Sequence, residues 1–264
     1  MINFDYKKSL GQNFLKDENI INKIVNAPVI KKNNLVIEIG PGAGALSKRL
    51  VKVFDKVLMY EIDTRLSETL NRILGGYDNY EIIFDDFLKR DVLNDLKKYK
   101  YDYLYIVANL PYYVTSPIVM KIIKEQLPVD EIVIMIQKEV AERYTSTPGN
   151  REYGEISVYL QYFFEISRVC NVDKNAFVPR PRVDSSVIKM KKRTNVLYVK
   201  DFSLFEKLVR DSFRFKRKTI KNNLYDYNLN IIDMVLSNYG YDLNVRSENL
   251  SYEIFVDMAN ELSN

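Results

Sequence analysis

The chain lacks histidine and tryptophan, and it contains a single cysteine, Cys170, among its 264 residues. Without histidine it cannot build the Ser-His-Asp and Cys-His arrangements of many hydrolases, or a metal site that uses imidazole. One cysteine excludes an internal disulfide and a thiolate metal cluster, so we expect a reducing compartment and no bound metal. Several common enzyme chemistries are therefore excluded before any motif is considered.

Long apolar runs are also missing. No stretch reaches the ~20 apolar residues that cross a bilayer, and the N-terminal segment MINFDYKKSLGQNF has no apolar signal core. We therefore expect a cytoplasmic protein without a membrane partner. Because 47% of the residues are hydrophobic, the chain can bury a sizeable core in one large or two modest domains.

Short apolar runs alternate with amphipathic segments over the first two thirds of the chain, which predicts an α/β fold with a parallel sheet. The predicted strands are Leu35–Ile39, Val57–Ile62, Tyr80–Phe84, Tyr103–Ala108, Ile132–Gln137 and, later, Ser186–Met190. The predicted helices among them are Asp17–Ala27, Ala45–Phe54, Thr64–Leu74, Asp91–Lys98 and Ser116–Glu125.

After Arg193 the pattern predicts helices only. These helices are Phe202–Phe213, Ile231–Tyr239 and Tyr252–Leu262. We place the boundary within Thr194–Val199, which gives a first domain of residues 1–193 and a small all-helical domain of residues 194–264.

The first strand runs into a glycine-rich turn, Gly40–Gly44, that precedes a helix. Such a turn lets a ligand approach the backbone closely, although a plain tight turn fits the same residues. Glu61 ends the second strand, where a carboxylate can accept the hydroxyls of a ribose. The spacing is E-x-G-x-G-x-G, and Pro41 inside the turn fits the pyrophosphate of a nicotinamide cofactor poorly. The pattern resembles the S-adenosylmethionine loop of class I methyltransferases.

Acidic and aromatic residues follow the third strand. Asp86 can accept a hydrogen bond from an adenine amino group, and Phe87 can pack on the ring. On local sequence alone, Asp85 is an equally good acceptor, and a helix-capping aspartate is an equally good interpretation. The choice of Asp86 depends on the resemblance described below.

The tetrapeptide Asn109-Leu110-Pro111-Tyr112 follows the fourth strand, at the sheet edge where open α/β folds bind ligands. These residues suit the methylation of an exocyclic amine, which is a poor nucleophile because its lone pair is delocalised into the ring. Acceptors such as the Asn109 amide oxygen can hold the two N–H groups of the amine and favour a tetrahedral nitrogen. Tyr112 offers a face for a base that has been flipped out of a duplex. Phe177, in a proline-rich segment with Arg180 and Arg182, is a second stacking candidate, although a linker before the last strand is the alternative.

A basic band extends from Lys189 to Lys221, where twelve basic residues face only three acidic ones. The whole chain has a net charge of +4. A solvated helix surface explains such a run in many proteins, whereas a nucleic-acid partner would use it to contact phosphates.

Together these motifs resemble, in order and nearly end to end, the KsgA (RsmA) family of small-subunit rRNA adenine N6,N6-dimethyltransferases. The matching segments are Lys8–Leu15, Ile37–Gly42, Glu61, Asp86, Asn109–Pro117, Gln137–Arg143, Pro148–Gly149, Tyr153–Gly154, Phe177–Ser185, Phe213–Ile220 and Arg246–Leu250. The resemblance implies a Rossmann-like class I methyltransferase sheet, a small helical domain and two methylations on each of two adjacent adenines. These adenines lie in the 3′-terminal hairpin loop of 16S rRNA, and a role in small-subunit biogenesis is implied.

The resemblance also implies residue roles and partners. The cofactor S-adenosylmethionine would be bound by Asn13, Leu15, Gly40, Gly42, Glu61, Asp86 and Asn109. The target base would be held by Asn109, Leu110, Pro111, Tyr112 and Phe177. The rRNA of an immature small subunit would be contacted by Arg180, Arg182, Arg214, Lys216, Arg217 and Lys218. We expect a monomer.

Three alternatives remain. An erythromycin-resistance-type enzyme, which methylates an adenine of large-subunit rRNA, shares the glycine loop and an Asn-Leu-Pro-Tyr-like motif. The Thr115–Pro117 continuation and the Phe177–Ser185 and Arg246–Leu250 segments favour the small-subunit enzyme. A non-catalytic RNA-binding assembly factor could keep the fold, but the intact Glu61, Asp86 and Asn109 argue against lost catalysis. A nicotinamide oxidoreductase would need a hydride-competent pocket that the motifs do not indicate.

Overall fold

Apolar runs of the chain form the strands of one mixed sheet in a computed structural model, which describes residues 13–263. The seven strands lie in the order β4-β3-β2-β5-β6-β9-β7. They are β2 (Asn34–Ile39), β3 (Lys56–Tyr60), β4 (Tyr80–Ile83), β5 (Tyr103–Asn109), β6 (Glu131–Gln137), β7 (Phe164–Val172) and β9 (Ser185–Lys192). Two short strands, β1 (Phe14–Leu15) and β8 (Phe177–Val178), pair with each other in an antiparallel ladder.

The middle of the sheet is parallel. Strand β2 pairs with β3 on one side and β5 on the other, and β5 pairs with β6, all in parallel. Every residue of β2 is buried, as expected where helices cover both faces of a parallel sheet. Strand β9 then adds to β6 in the antiparallel direction. All six predicted strands are present, and their ends differ from the predicted ones by no more than two residues.

Helices follow the strands, and the first five of them were predicted. They are α1 (Glu18–Val25), α2 (Ser47–Val53), α3 (Ser67–Leu74), α4 (Val92–Leu96), α5 (Thr115–Lys124) and α6 (Lys138–Thr145). The predicted cap Asp17 accepts hydrogen bonds from the backbone N–H groups of Asn19 at 2.9 Å and Ile20 at 3.3 Å, which satisfies donors that the first turn leaves free. No helix of residues 13–263 is long and apolar enough to cross a membrane.

The C-terminal part is helical, as predicted. Its helices are α7 (Glu155–Phe163), α8 (Phe202–Ser212), α9 (Ile220–Asn223), α10 (Leu229–Asn238) and α11 (Tyr252–Leu262). Helix α9 was not predicted. Helix α7 and strand β7 were not predicted either. They share one apolar run, YLQYFFEI, and the periodicity of such a run does not separate a helix from a strand.

The chain divides into two compact units. The first consists of residues up to Ala141 together with Ser167–Lys191, and the second of Glu142–Ile166 together with Lys192–Asn264. The second unit therefore includes a segment that the single boundary near residue 193 places in the first domain. The reason is packing, since Tyr159 and Tyr162 of α7 lie in one apolar core with Phe205 of α8.

Candidate active site

The glycine turn after β2 has the backbone geometry of a ligand-binding loop. Gly40, Gly42 and Gly44 have φ angles of 71°, 58° and 77°, a region that side chains with a Cβ rarely occupy. The N–H of Gly40 donates to the carbonyl of Tyr60 at 2.9 Å, which ties the turn to the end of β3. A Cβ on Gly42 would lie 2.8 Å from the ring of Phe14. The turn lines a pocket at the carboxyl ends of the strands, where Phe14 packs closely against Gly42.

Glu61 lies directly beside this turn. Its Oε2 accepts a hydrogen bond from the N–H of Gly42 at 3.0 Å, and its Oε1 accepts one from the N–H of Asp63 at 2.9 Å. The side chain is buried, which raises the pKa of the carboxyl, while the backbone N–H groups partly offset that rise. The carboxylate thus holds the turn against the end of β3, at the position where the sequence predicts the ribose acceptor. That role stays a prediction.

Glu38 is a second acidic residue of the pocket, and it is not among the site residues predicted from the sequence. It is 1% exposed, and its Oε2 has no hydrogen-bond partner among the described residues. Burial raises the pKa of this carboxyl to about 8, and the neighbouring charge of Glu61 adds to the rise. The signal was present in the sequence, because Glu38 is the first residue of the E-x-G-x-G-x-G pattern.

The end of β4 supplies the acids that were predicted for the adenine side. Asp86 Oδ1 accepts from the N–H of Leu88 at 3.0 Å, and Asp85 Oδ1 accepts from the N–H of Asp86 at 2.7 Å. Asp85 also forms an ion pair with Arg90 at 3.4 Å. Both acids line the pocket, so the turn-capping role and a ligand contact by the second oxygen of Asp86 are compatible.

Apolar side chains form the walls of the same pocket. Phe87 is buried with its ring edge-on to Tyr60 at a centroid distance of 5.3 Å. Ile62, which is not among the predicted site residues, also lines the pocket and is 52% exposed. Its side chain adds to the mostly apolar lining that small-molecule sites have.

Asn109 ends β5 and orients its amide through a contact that is distant in sequence. Its Nδ2 donates to the carbonyl of Asn13 at 3.2 Å, so Oδ1 is the atom that is directed elsewhere to accept a hydrogen bond. Leu110 is buried, and its N–H donates to the carbonyl of Met135 at 3.2 Å. The φ angle of Pro111 is −59°, as its ring requires.

Two tyrosines, Tyr112 and Tyr113, follow Pro111. The hydroxyl of Tyr112 lies 2.7 Å from the Oγ of Ser185, and burial raises the pKa of the tyrosine. Tyr113, which was not predicted as a site residue, is 58% exposed and lines the pocket as well. These two tyrosines thus give the pocket one fixed ring and one solvent-facing ring.

The N-terminal motif contributes to the pocket through the part that the structure describes. Asn13, Phe14 and Leu15 line it, and Leu15 pairs with Phe177 across the β1-β8 ladder. The rest of the motif, residues 8–12, lies outside the described residues.

Phe177 is not brought into the pocket. Its side chain is 2% exposed and belongs to the apolar core of the first unit, and the ring is not among the described residues that line the pocket. Its stacking role therefore stays a prediction. Arg180 and Arg182, which follow it, are exposed as a phosphate contact requires.

The basic residues predicted to contact RNA in the second unit are also exposed. They lie in the turn between α8 and α9, and they are Arg214, Lys216, Arg217 and Lys218. The Nζ of Lys216 donates to the carbonyl of Arg151 at 2.6 Å, which fixes one of the four side chains.

Known proteins resemble this chain over nearly its full length. The family model for ribosomal RNA adenine dimethylase matches residues 3–264. Ribosomal RNA small subunit methyltransferase A of Bacillus cereus (strain B4264) is 44% identical over 270 residues, covering 98% of this chain and 92% of the relative. The protein of the same name from Bacillus mycoides (strain KBAB4) is 43% identical with the same coverage.

Two solved structures share the fold. A dimethyladenosine transferase from Plasmodium falciparum has a TM-score of 0.79 and 28% identity, covering 93% of this chain and 95% of its own. The 23S rRNA methyltransferase ErmE has a TM-score of 0.78 and 25% identity, covering 96% of this chain and 100% of its own. These similarities confirm the predicted resemblance and the predicted fold class. With a family model matched over residues 3–264 and relatives 43–44% identical, the chain belongs to the ribosomal RNA adenine dimethylase family, the S-adenosylmethionine-dependent methyltransferases of the KsgA (RsmA) type.

Proposed function

We propose that this protein dimethylates N6 of two adjacent adenines in the 3′-terminal hairpin loop of 16S rRNA, and that it contributes to small-subunit biogenesis. The observation that carries the proposal is the position of Asn109, an oriented acceptor on the same pocket as the glycine turn and Glu61. The 44% identity to a small subunit methyltransferase over nearly the whole chain supports the choice of substrate.

The pocket fits S-adenosylmethionine. A buried carboxyl oxygen of Glu38 without a partner among the described residues suits a cationic amino group, whose charge would favour ionisation of Glu38. At Gly40 the nearest atom to an added Cβ would be 4.0 Å away, on Pro111, so a ligand can approach this backbone closely. Glu61 would accept the ribose hydroxyls, Asp86 the adenine amino group, and Asn13 and Leu15 would line the site. When bound, S-adenosylmethionine supplies an electrophilic methyl group on a sulfonium.

The residues of the chain then need to prepare the adenine amine. Its lone pair is delocalised into the ring, so the nitrogen becomes nucleophilic when acceptors hold its two N–H groups and favour a tetrahedral geometry. Asn109 Oδ1 and a nearby backbone carbonyl are the acceptors in this proposal, and Leu110 and Pro111 fix the backbone between them. No general base is required, because the methylated amine is acidic enough to release its proton to water. This agrees with a chain that contains no histidine.

Base capture depends on stacking. A paired adenine cannot reach a pocket of this kind, so it must be flipped out or unpaired. Tyr112 is held by Ser185 through its hydroxyl, which leaves the face of its ring to meet the base. The exposed basic residues Arg180, Arg182, Arg214, Lys216, Arg217 and Lys218 would bind phosphates and position the rRNA.

Mass spectrometry of methylated adenines tests the proposal. The protein is incubated with S-adenosylmethionine and with purified unmethylated small subunits, and in parallel with large subunits. We expect dimethyladenosine at two adjacent positions of 16S rRNA and none in the large subunit. Methylation of large-subunit rRNA alone would favour the enzyme type of the 23S rRNA methyltransferase ErmE, whose fold is equally close.

Two further measurements address the remaining possibilities. Calorimetry should show binding of S-adenosylmethionine and none of NAD, and the reverse result would contradict the proposal. Subunit binding without any methyl transfer would favour a non-catalytic assembly factor. We further propose that the protein acts in the cytoplasm as a monomer, which sedimentation of the purified protein at micromolar concentration would check.

A further inference from the structure

The turn between α8 and α9 presents an aromatic ring in the middle of its basic residues. Phe215 is 53% exposed, and it is flanked in sequence by Arg214 and Lys216. The guanidinium carbon of Arg214 lies 6.0 Å from the centre of the ring, at the outer limit of a cation–π contact. Phosphate binding alone does not need an apolar ring, and this ring stands out because it lies among cations.

The exposure does not come from a loosely held backbone. The N–H of Phe215 donates to Oδ1 of Asn223 at 3.1 Å, and its carbonyl accepts from Nδ2 of Asn223 at 3.3 Å and from the N–H of Lys218 at 2.8 Å. Asn223 is 4% exposed and also donates to the carbonyl of Ser212 at 2.7 Å. A buried amide thus fixes the main chain on both sides of the ring, which lowers the entropy lost when the ring binds a partner.

A second phenylalanine of the same segment shows what a structural ring does here. The ring centroid of Phe213 lies 6.2 Å from that of Tyr153 and 5.8 Å from that of Phe255, and this half-buried ring packs against the core of the second unit. Phe213 therefore supports the turn. Phe215, two residues later, is directed to solvent among cations.

We propose that Phe215 stacks on an unpaired base of the rRNA substrate while the neighbouring cationic side chains bind the flanking phosphates. Aromatic stacking combined with backbone charges is the common way in which proteins hold single-stranded nucleic acid. The inference rests on the proposed function for the identity of the partner as RNA. It adds a base contact to a segment that otherwise contributes only charge.

The absence of tryptophan from the chain makes a direct test possible. Phe215→Trp places the only tryptophan of the protein at the contact, and Tyr198→Trp places one at an exposed site (77%) of the same unit as a control. We expect tryptophan fluorescence of the Phe215→Trp protein to be quenched by single-stranded oligoadenylate and by unmethylated small subunits. Polyphosphate, which offers charge without bases, should leave it unchanged, and the Tyr198→Trp protein should respond to none of the three.

Affinity measurements complete the test. Phe215→Ala should weaken binding to oligoadenylate roughly 5- to 100-fold, the range of one lost stacking contact, with the salt dependence unchanged. Phe215→Tyr, which keeps the ring, should restore the affinity. Circular dichroism of the alanine variant checks that the turn still folds.

Three results would overturn the inference. These are an unchanged Phe215→Trp spectrum at saturating RNA, equal quenching by polyphosphate, and a response to small subunits but not to the RNA extracted from them. The last result would assign the ring to a ribosomal protein. Methyl transfer by the wild-type protein, measured on the same small subunits, separates this failure from a failure of the proposed function.

Discussion

The pocket of the first unit and the basic turn of the second unit use charge in opposite ways. The pocket has few ionisable groups, and two of them, Glu38 and Glu61, are almost completely buried. The basic turn keeps its cations in solvent. Burial raises the free-energy cost of each charge in the pocket, so a charge there needs a specific partner. Exposed cations act mainly through their number, and salt screens them. Ligand binding in the pocket should therefore depend mainly on geometry, and RNA binding at the turn mainly on ionic strength.

The largest effect is expected where the reacting nitrogen would be held. Asn109→Ala should lower methyl transfer by about 10²–10³-fold, as is typical when one oriented hydrogen-bonding group is removed from a reacting centre. Affinity for S-adenosylmethionine should fall by less than about tenfold. Methyl incorporation into small subunits and calorimetry measure the two quantities. Asn109→Asp, which keeps an acceptor oxygen, should retain part of the activity, and near-normal turnover of the alanine variant would contradict the amine-holding role.

The buried acid of the pocket should make stability depend on pH. Burial raises the pKa of Glu38 to about 8 from an ordinary 4.5, so the folded protein keeps a proton that the unfolded chain releases. The free energy of unfolding should therefore fall as the pH rises from 4.5 toward 8. Glu38→Gln, which cannot ionise, should reduce that fall by about 2–4 kcal/mol, because one pKa unit corresponds to about 1.4 kcal/mol.

Urea denaturation at pH 5 and pH 8 measures the difference. Glu18→Gln serves as the control, since Glu18 is exposed and its pKa is lowered by hydrogen bonds from Arg49 and Lys48. A Glu38→Gln protein with the pH dependence of the wild type would mean that Glu38 is already ionised in the folded state.

A smaller effect, with a different dependence on conditions, is expected at the basic turn. Replacing Lys216, Arg217 and Lys218 together by Ala should weaken rRNA binding about 10- to 100-fold in low salt. The salt slope should decrease by roughly 0.7–0.9 for each lost phosphate contact. The matched control replaces three exposed lysines of the first unit, Lys97, Lys98 and Lys100, which changes the net charge equally. An equal loss of rRNA affinity in both variants would mean that the turn contributes only through the overall charge of the protein.

The smallest effect separates backbone strain from contact in the glycine turn. Gly42→Ala and Gly240→Ala both place a Cβ on a backbone with positive φ, 58° and 75°, and each should cost about 1–2 kcal/mol of stability. Only the first meets a neighbour, the ring of Phe14 at 2.8 Å. Because Phe14 lines the pocket, Gly42→Ala alone should weaken binding of S-adenosylmethionine, by about 3- to 10-fold in calorimetry. Equal binding by both variants would show that Phe14 moves aside freely.

Local patterns predicted most elements of this protein, although they missed helices α6 and α9. Strand β5 and helix α11 were predicted within one residue of their ends, because period and length distinguish a short buried strand from an amphipathic helix. The pattern failed at residues 155–172, where one apolar run changes from helix to strand at Phe164. That change is decided by two different cores, which a single sequence does not separate.

The sequence predicted most residues of the site but not every one of their positions. Gly42, Glu61 and Asn109 come together because strand ends of one parallel sheet meet at the same edge. Glu38 was missed because its environment, rather than its identity, gives the carboxyl its raised pKa. Phe177 was predicted beside the base from the stiffness of its proline-rich segment, and the structure buries it opposite Leu15.

The sequence by itself determined the excluded chemistries, the alternation of strands and helices, and the motifs that identify the family, because all of these depend on residue identity and short-range order. Only the tertiary structure decided which groups are buried, which face solvent and which meet across the chain. Asn109 obtains its orientation from Asn13, 96 residues earlier, and Phe215 keeps its exposure through Asn223. Contacts of this kind arise when the packed chain satisfies its buried polar groups, and no local pattern contains that information.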